Sequence, residues 1–159
     1  YTKILKEGDS AIISEAGCPC VADPGADLVF LAHQHQVEVI PLVGPSSILL
    51  ALMASGLNGQ HFAFNGYLPK DRQERIQKIR SLEDRSFKMG QTQVFMETPY
   101  RNQSILEDIL TTCLDRTYLC IACDITGPEQ MIKTMSISEW KKKPYKFNKK
   151  PSLFLLQKL

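Results

Sequence analysis

The sequence predicts an α/β protein of two domains built on mixed or parallel sheets, and three observations carry that reading. Two strand–loop–helix units follow one another between residues 11 and 56. A connector rich in Gly and Asn follows near residue 60, and a second alternation of strands and helices fills the rest of the chain. The 159 residues, 43% hydrophobic, are enough for one ordinary domain or two small ones.

Residues 11–14 and 37–42 read as strands, being short, apolar and rich in Ile, Leu and Val. Residues 26–34 between them have the length and composition of a crossover helix, which implies parallel strands joined in the right-handed sense. A second, strongly apolar helix follows Ser46 and Ser47. Gly56, Asn58, Gly59 and Gly66 mark a connector, dividing the chain into domains at 1–60 and 61–159. Beyond it, residues 71–83 place Ile76, Ile79 and Leu82 at helical spacing, with Asp71 in position to cap the start. A buried strand is expected at 92–97, a helix at 102–114 and another strand at 118–122. Two further strands, 131–135 and 152–156, enclose a short helix that opens on an S-x-x-E capping box at Ser136.

The loops of the first two units are built for close approach of main chain to a ligand. Gly17, Pro19, Pro24 and Gly25 punctuate the first, and Gly44 and Pro45 lead into Ser46 and Ser47 in the second. Glycine admits a bound group near the backbone, proline directs the path, and serine hydroxyls can cap a helix or bind ligand. In an open α/β sheet such loops, beyond the carboxyl ends of strands, are where ligands sit.

The net charge of +2 does not by itself argue for nucleic acid. The tract WKKKPYKFNKK at 140–150 is more informative, since its six lysines are interleaved with Trp140, Tyr145 and Phe147. Lysine with aromatics can serve RNA, although a solvated loop is the simpler reading. No apolar run approaches the roughly 20 residues that span a bilayer, so a cytoplasmic protein with no membrane partner is expected. Of the five cysteines, Cys120 and Cys123 have C-x-x-C spacing without a second ligand pair, and buried thiols explain them most simply. His33 and His35, two apart on a helix, point to different faces and cannot share a metal. No metal site is expected.

The runs SEAGCPCVADPG at 14–25, PLVGPSSILLALMASG at 41–56 and GYLPK at 66–70 resemble the tetrapyrrole methylase superfamily of S-adenosylmethionine (SAM) methyltransferases. Within it they are most similar to the branch that methylates a ribose 2′-hydroxyl in bacterial small-subunit ribosomal RNA, and TQVFMETPYR at 92–101 continues the likeness more loosely. The resemblance implies SAM folded into a cleft between two α/β domains, a ribosomal RNA substrate and a homodimer. It also implies that the first domain is incomplete, since nothing around Tyr1 can play the family's opening strand and Gly-containing turn. The implied cofactor residues are Gly17, Cys18 and Val21 in the first loop, Ser46, Ser47 and Ile48 in the second, and Met96 and Ala122 beyond. The chain has Cys123-Asp124-Ile125-Thr126 where that branch typically has Arg-Glu-Leu-Thr, and Lys150-Pro151 where it has Gly-Glu.

Methyl transfer from SAM is an in-line displacement that needs no metal or covalent intermediate, so positioning is most of the catalysis. An alcohol acceptor gains from a base. Glu15, Asp23 and Glu97 are the nearest carboxylates, each equally suited to a structural cap, and no catalytic residue is assigned. The alternatives are a methylase of a small tetrapyrrole-like acceptor, a non-catalytic module that retains the fold, and thiol chemistry at Cys18 and Cys20.

Overall fold

In a computed structural model, which describes residues 8–143, 145–147 and 149–159, the chain forms two compact units that divide after Ser46. The second unit is organised by a five-stranded mixed sheet. Its helices are α2 (Ser47–Ser55), α3 (Arg72–Met89), α4 (Asn102–Thr112) and α5 (Ile137–Lys142), and α1 (Ala26–Gln34) belongs to the first unit. Its strands are β1 (Phe62–Tyr67), β2 (Thr92–Glu97), β3 (Tyr118–Cys123), β4 (Met131–Ser136) and β5 (Ser152–Gln157), in the order β1-β2-β5-β3-β4.

Parallel strands cannot be joined by a tight turn, and α3 supplies the crossover from β1 to its parallel neighbour β2. The Asp71 carboxylate accepts the backbone N–H groups of Gln73 and Glu74, both at 2.9 Å, and so caps α3. Gly90 ends the helix in the left-handed region at φ 58. The last strand, β5, lies between β2 and β3 and is antiparallel to both. Covered on both faces, it is apolar at four consecutive positions, and all six of its residues are buried. Strand alternation then separates two cores. Phe95, Leu119, Ile121, Phe154 and Leu156 meet α3, α4 and α5 on one face, while Val94, Cys120, Ala122, Leu153 and Leu155 meet Ile48, Ala51 and Leu52 of α2 on the other.

An ion pair buried on the first face fastens α3 to α4. Arg75 holds Asp108 through Nε at 2.7 Å and Nη2 at 2.6 Å, and Arg72 Nε adds a contact at 3.0 Å. Arg75 Nη1 also donates to the Lys70 carbonyl at 2.9 Å. Nearby, the buried Glu83 carboxylate accepts the Leu114 N–H at 2.8 Å and the Thr117 hydroxyl, closing the α4–β3 connection.

The first unit departs from expectation. Residues 11–14 and 37–42, expected as strands, have no ladder among the described residues, and Ile13, Ile40 and Leu42 are exposed. Their composition is that of buried parallel strands, but a strand exists only through partners for its backbone groups. Helix α1 (Ala26–Gln34) falls where expected, and it closes in a Schellman motif. Val37 N–H reaches the Ala32 carbonyl at 2.9 Å and Gln36 N–H the His33 carbonyl at 3.1 Å, with Gln36 left-handed at φ 56. His35 is thus the C-cap and not a helical residue.

Other boundaries move for identifiable reasons. The connector expected at 56–66 contains β1, an edge strand whose register shifts between Phe64 and Tyr67, where Gly66 has φ 63. Asn and Gly at that irregularity read as a loop, though they make a bulge, and the Asn65 amide ties it to Gln93 Oε1 at 3.1 Å. Helix α3 runs six residues past the expected 83, stopped only by Gly90, and α4 ends at Thr112, two residues short of 114. The remaining strands and the capping box at Ser136 and Glu139 stand within a residue of expectation. Helix α2, expected within 1–60, belongs to the compact unit that begins at Ser47.

Replacing Asp108 with Ala leaves the Arg75 guanidinium buried without its carboxylate. Urea unfolding should register a loss of about 3–5 kcal/mol for this variant. A Lys141→Ala variant, which cuts the exposed pair to Asp115 at 2.6 Å, should lose less than about 1 kcal/mol.

Candidate functional site

Loop 1, residues 15–25, is shaped by left-handed backbone. Gly17 (φ 78), Cys20 (φ 68), Ala22 (φ 55) and Gly25 (φ 126) all have positive φ, a region that Cys and Ala enter at a cost. The Ser14 hydroxyl donates to the carbonyls of Ala16 at 3.3 Å and Gly17 at 3.2 Å. The Cys18 thiol donates to the Pro45 carbonyl at 3.4 Å, which ties loop 1 to loop 2, residues 43–46. A Cβ on Gly25 would lie 3.0 Å from Cys20 Sγ and 3.2 Å from Ile12 Cγ2, so the turn into α1 is closed to other side chains. Around Gly17 the opposite holds, since no atom lies within 4 Å of such a position and the main chain is open to an approaching group.

In the second unit, Ile48 from α2, Met96 from the end of β2 and Ala122 from β3 belong to one apolar cluster with Val94, Leu153 and Leu155. Ile48 and Ala122 are buried, and Met96 is half-buried. The structure therefore brings together three of the eight residues singled out from the sequence. Gly17, Cys18, Val21 and Ser46 lie in the first unit, with Val21 exposed, and Ser47 is the first residue of α2.

Beyond the carboxyl ends of β2 and β3 lies a rim that sequence reasoning saw only in part. The Glu97 carboxylate accepts the Thr98 N–H at 2.7 Å and pairs with Arg101 Nη2 at 2.8 Å, and Arg101 Nη2 reaches on to the Pro69 carbonyl at 3.0 Å. Glu97 is thus occupied in holding its own turn, while Glu15 and Asp23 are exposed. Asn102 Nδ2 donates to the Lys150 carbonyl at 2.8 Å and to Ser152 Oγ at 3.1 Å, and its buried Oδ1 has no hydrogen-bond partner among the described residues.

After β3, Asp124 (φ 50) and Thr126 (φ 65) are left-handed, and the Asp124 carboxylate accepts the Glu129 N–H at 3.0 Å. A Cβ on Gly127 would fall 2.5 Å from that carboxylate, so glycine is required there. The segments 123–126 and 150–151 meet at this point. Asp124 N–H donates to the Pro151 carbonyl at 3.0 Å, and Lys150 Nζ lies 3.6 Å from Asp124 and 3.7 Å from Glu129. The spacing of Asp124, Gly127 and Glu129 signals such a turn, but not its partner strand.

Cys120 and Cys123 of β3 and Cys113 at the end of α4 serve packing. Cys120 and Cys123 are three apart on a strand and so face opposite sides of the sheet, which rules out a shared metal. Burial pushes the Cys113 and Cys120 thiols up, the buried Glu83 adding to the effect at Cys113, so neither supplies a thiolate near neutrality. Among the described residues no group of three or more His, Cys, Asp or Glu could hold a metal ion.

A family model for the tetrapyrrole (corrin/porphyrin) methylases matches residues 2–141. The chain belongs to this family. Among the family's curated proteins it is 34% identical, over 137 residues, to the ribosomal RNA small subunit methyltransferase I of Vibrio cholerae, and 37% identical over 137 residues to that of Thermotoga maritima. Each match takes in 86% of this chain but only 46% and 59% of the relative. The chain therefore spans about half the length of the curated relatives it matches. Among solved structures it resembles the methyltransferase CobJ (TM-score 0.61, 18% identity, 98% of this chain and 67% of that one). It also resembles the uroporphyrin-III-C-methyltransferase of Thermus thermophilus (TM-score 0.51, 18% identity, 89% and 60%). At these identities the likeness is one of fold.

Gly25→Ala should distort loop 1, because φ 126 and the contact with Cys20 exclude a side chain. Amide exchange at Leu28 and Val29, whose N–H groups bond the Gly25 carbonyl at 3.0 and 3.1 Å, should quicken by about ten-fold or more, while the amides of β5 keep their protection.

Proposed function

We propose that this chain is part of a SAM-dependent methyltransferase that methylates a ribose 2′-hydroxyl of small-subunit ribosomal RNA. The observation that carries the reading is the set of relatives named ribosomal RNA small subunit methyltransferase I. Those of Vibrio cholerae, Buchnera aphidicola and Escherichia coli share 31–34% identity over 85–96% of this chain. The small-acceptor and non-catalytic alternatives have no comparable support.

The residues present fit such a cofactor. Gly17 leaves its main chain open, as a backbone-lined nucleoside site requires, and the Cys18 thiol contacts the Pro45 carbonyl. Of the cofactor residues that the resemblance implies, Gly17, Cys18, Val21 and Ser46 belong to the first unit. Ser47, Ile48, Met96 and Ala122 belong to the second, where half-buried Met96 leaves apolar surface at the end of its strand while Ile48 and Ala122 back it from the core. When bound, SAM supplies a methyl group on a sulfonium, open to in-line attack by a hydroxyl. The protein's part is to hold donor and acceptor in line and exclude water, and no metal ligand set is called for.

Homodimerisation and a cytoplasmic location, where ribosomal subunits are found, belong to the same proposal. The exposed apolar side chains of Ile13, Phe30, Leu42, Val43, Leu49 and Met53 support an assembled state. No helix among the described residues is long and apolar enough to cross a membrane.

The test is transfer of tritiated methyl from SAM to small-subunit RNA by the full-length protein, with calorimetric titration of SAM alongside. Incorporation that vanishes when the target ribose lacks its 2′-hydroxyl is the expected result, and SAM binding without transfer to any RNA would refute the substrate. Val21→Asp, at an exposed site in loop 1, should weaken SAM binding by about ten-fold with an unchanged melting temperature, the size of one lost apolar contact with added desolvation cost.

A further inference from the structure

We propose that Tyr100, with the ammonium of Lys149 over its ring, is a stacking platform that positions an unpaired base of the RNA substrate, an inference that rests on the RNA methyltransferase reading. The lysine-rich tract carries its own aromatics, but the core takes them. Trp140 is buried and donates its indole N–H to the Leu119 carbonyl at 2.9 Å. Tyr145 packs edge-on against Trp140 and Phe147, at centroid separations of 6.3 and 4.9 Å, and Phe147 leans on Phe154 at 5.8 Å. Burial accordingly pushes the Tyr145 phenol up to about 12, with the nearby Cys123 thiol adding to it. These rings anchor the tract and leave its lysines outward.

The exposed ring comes from another element. Tyr100, in the turn between β2 and α4, is 81% exposed, and Lys149 Nζ stands 5.5 Å from its ring centroid. An aromatic surface left in water at the carboxyl end of a strand, with a cation beside it, matches the way single strands are held: bases stack on π-faces while cations follow the phosphates. The platform is also rigid. Arg101 N–H closes the turn on the Thr98 carbonyl at 2.9 Å, and Glu97 braces both Thr98 and Arg101. On the other side Lys150 is neutralised by Asp124 and Glu129, whereas Lys149 has no carboxylate partner among the described residues and can meet a phosphate.

Backbone strain is also present at the same rim. Asp124, Thr126 and Lys149 are non-glycine residues with positive φ, and Thr126 is β-branched, for which this region is a true outlier. Strain of this kind persists where surrounding structure enforces it, commonly at ligand-holding sites. Beside these residues the Asp124 N–H bonds the Pro151 carbonyl and the Asn102 amide bonds the Lys150 carbonyl.

The experiment is fluorescence anisotropy of labelled oligouridylate on the full-length protein, with methyl transfer to small-subunit RNA measured on the same variants. Tyr100→Ala should weaken oligouridylate binding about ten-fold, one base stack, while Tyr100→Phe, which keeps the ring, stays within about two-fold of the parent. Lys149→Ala should reduce the slope of log affinity against log salt by about one. Melting temperatures of all three should match the parent's, since neither side chain is buried.

Equal binding by parent and Tyr100→Ala overturns the proposal, as does capture of polyglutamate in place of oligouridylate. If Tyr100→Ala also keeps the parent's KM for RNA, the platform is refuted and the methyltransferase reading stands. If the parent neither binds nor methylates RNA, both fall together.

Discussion

The insertion of β5 between β2 and β3 is the constraint on which the second unit depends. Two strands that run the same way are separated by one that runs against them, so the start of β5 lies beside the ends of both neighbours. Ser152 is in register with Glu97 on one side and with Cys123 on the other. Everything at the rim follows from that pairing. The turn at 98–101, the turn at 124–130 and the approach to β5 at 149–151 become neighbours although they are far apart in sequence. The strand can occupy this place because helices cover both faces, and its apolar side chains supply material to both cores.

Several buried polar contacts inside this unit each close a specific joint. Arg75 and Asp108 lock two helices on one face, Glu83 ties the end of α3 to the entry of β3, and Asn102 joins α4 to the approach of β5. A buried polar or charged group costs free energy unless it finds partners, so these contacts act as fixed distances between elements that apolar packing alone would let slide. The Asn102 carbonyl oxygen, buried and unpartnered among the described residues, lies within the rim that the proposed RNA platform occupies.

Strained main chain marks the candidate functional regions of both units. In the first, Cys20 and Ala22 lie between Gly17 and Gly25, and in the second, Asp124, Thr126 and Lys149 surround the ends of β3 and β5. The two regions use their strain differently. Loop 1 turns main chain outward around Gly17, as a backbone-lined cofactor site needs, whereas the rim of the second unit presents side chains of opposite kind, an exposed ring and an ammonium.

Local physics was legible in the sequence. Helical periodicity, Asp71 and Ser136 as caps, and apolar runs at 92–97, 118–122 and 152–156 located their elements because caps and burial act within a few residues. The glycine and proline spacing of loop 1 announced an unusual backbone for the same reason. Tertiary structure alone decided what depends on partners. Residues 11–14 and 37–42 have the composition of strands, yet only a neighbouring strand could make them so, and β1 took form inside an apparent connector because β2 was there to pair with it. The aromatics of the lysine tract could not be divided between core and surface until α5 and β5 were in place, and nothing local to Tyr100 signals that Lys149 lies over its ring. Side-chain type is written in the chain, whereas burial and juxtaposition are properties of the packed whole.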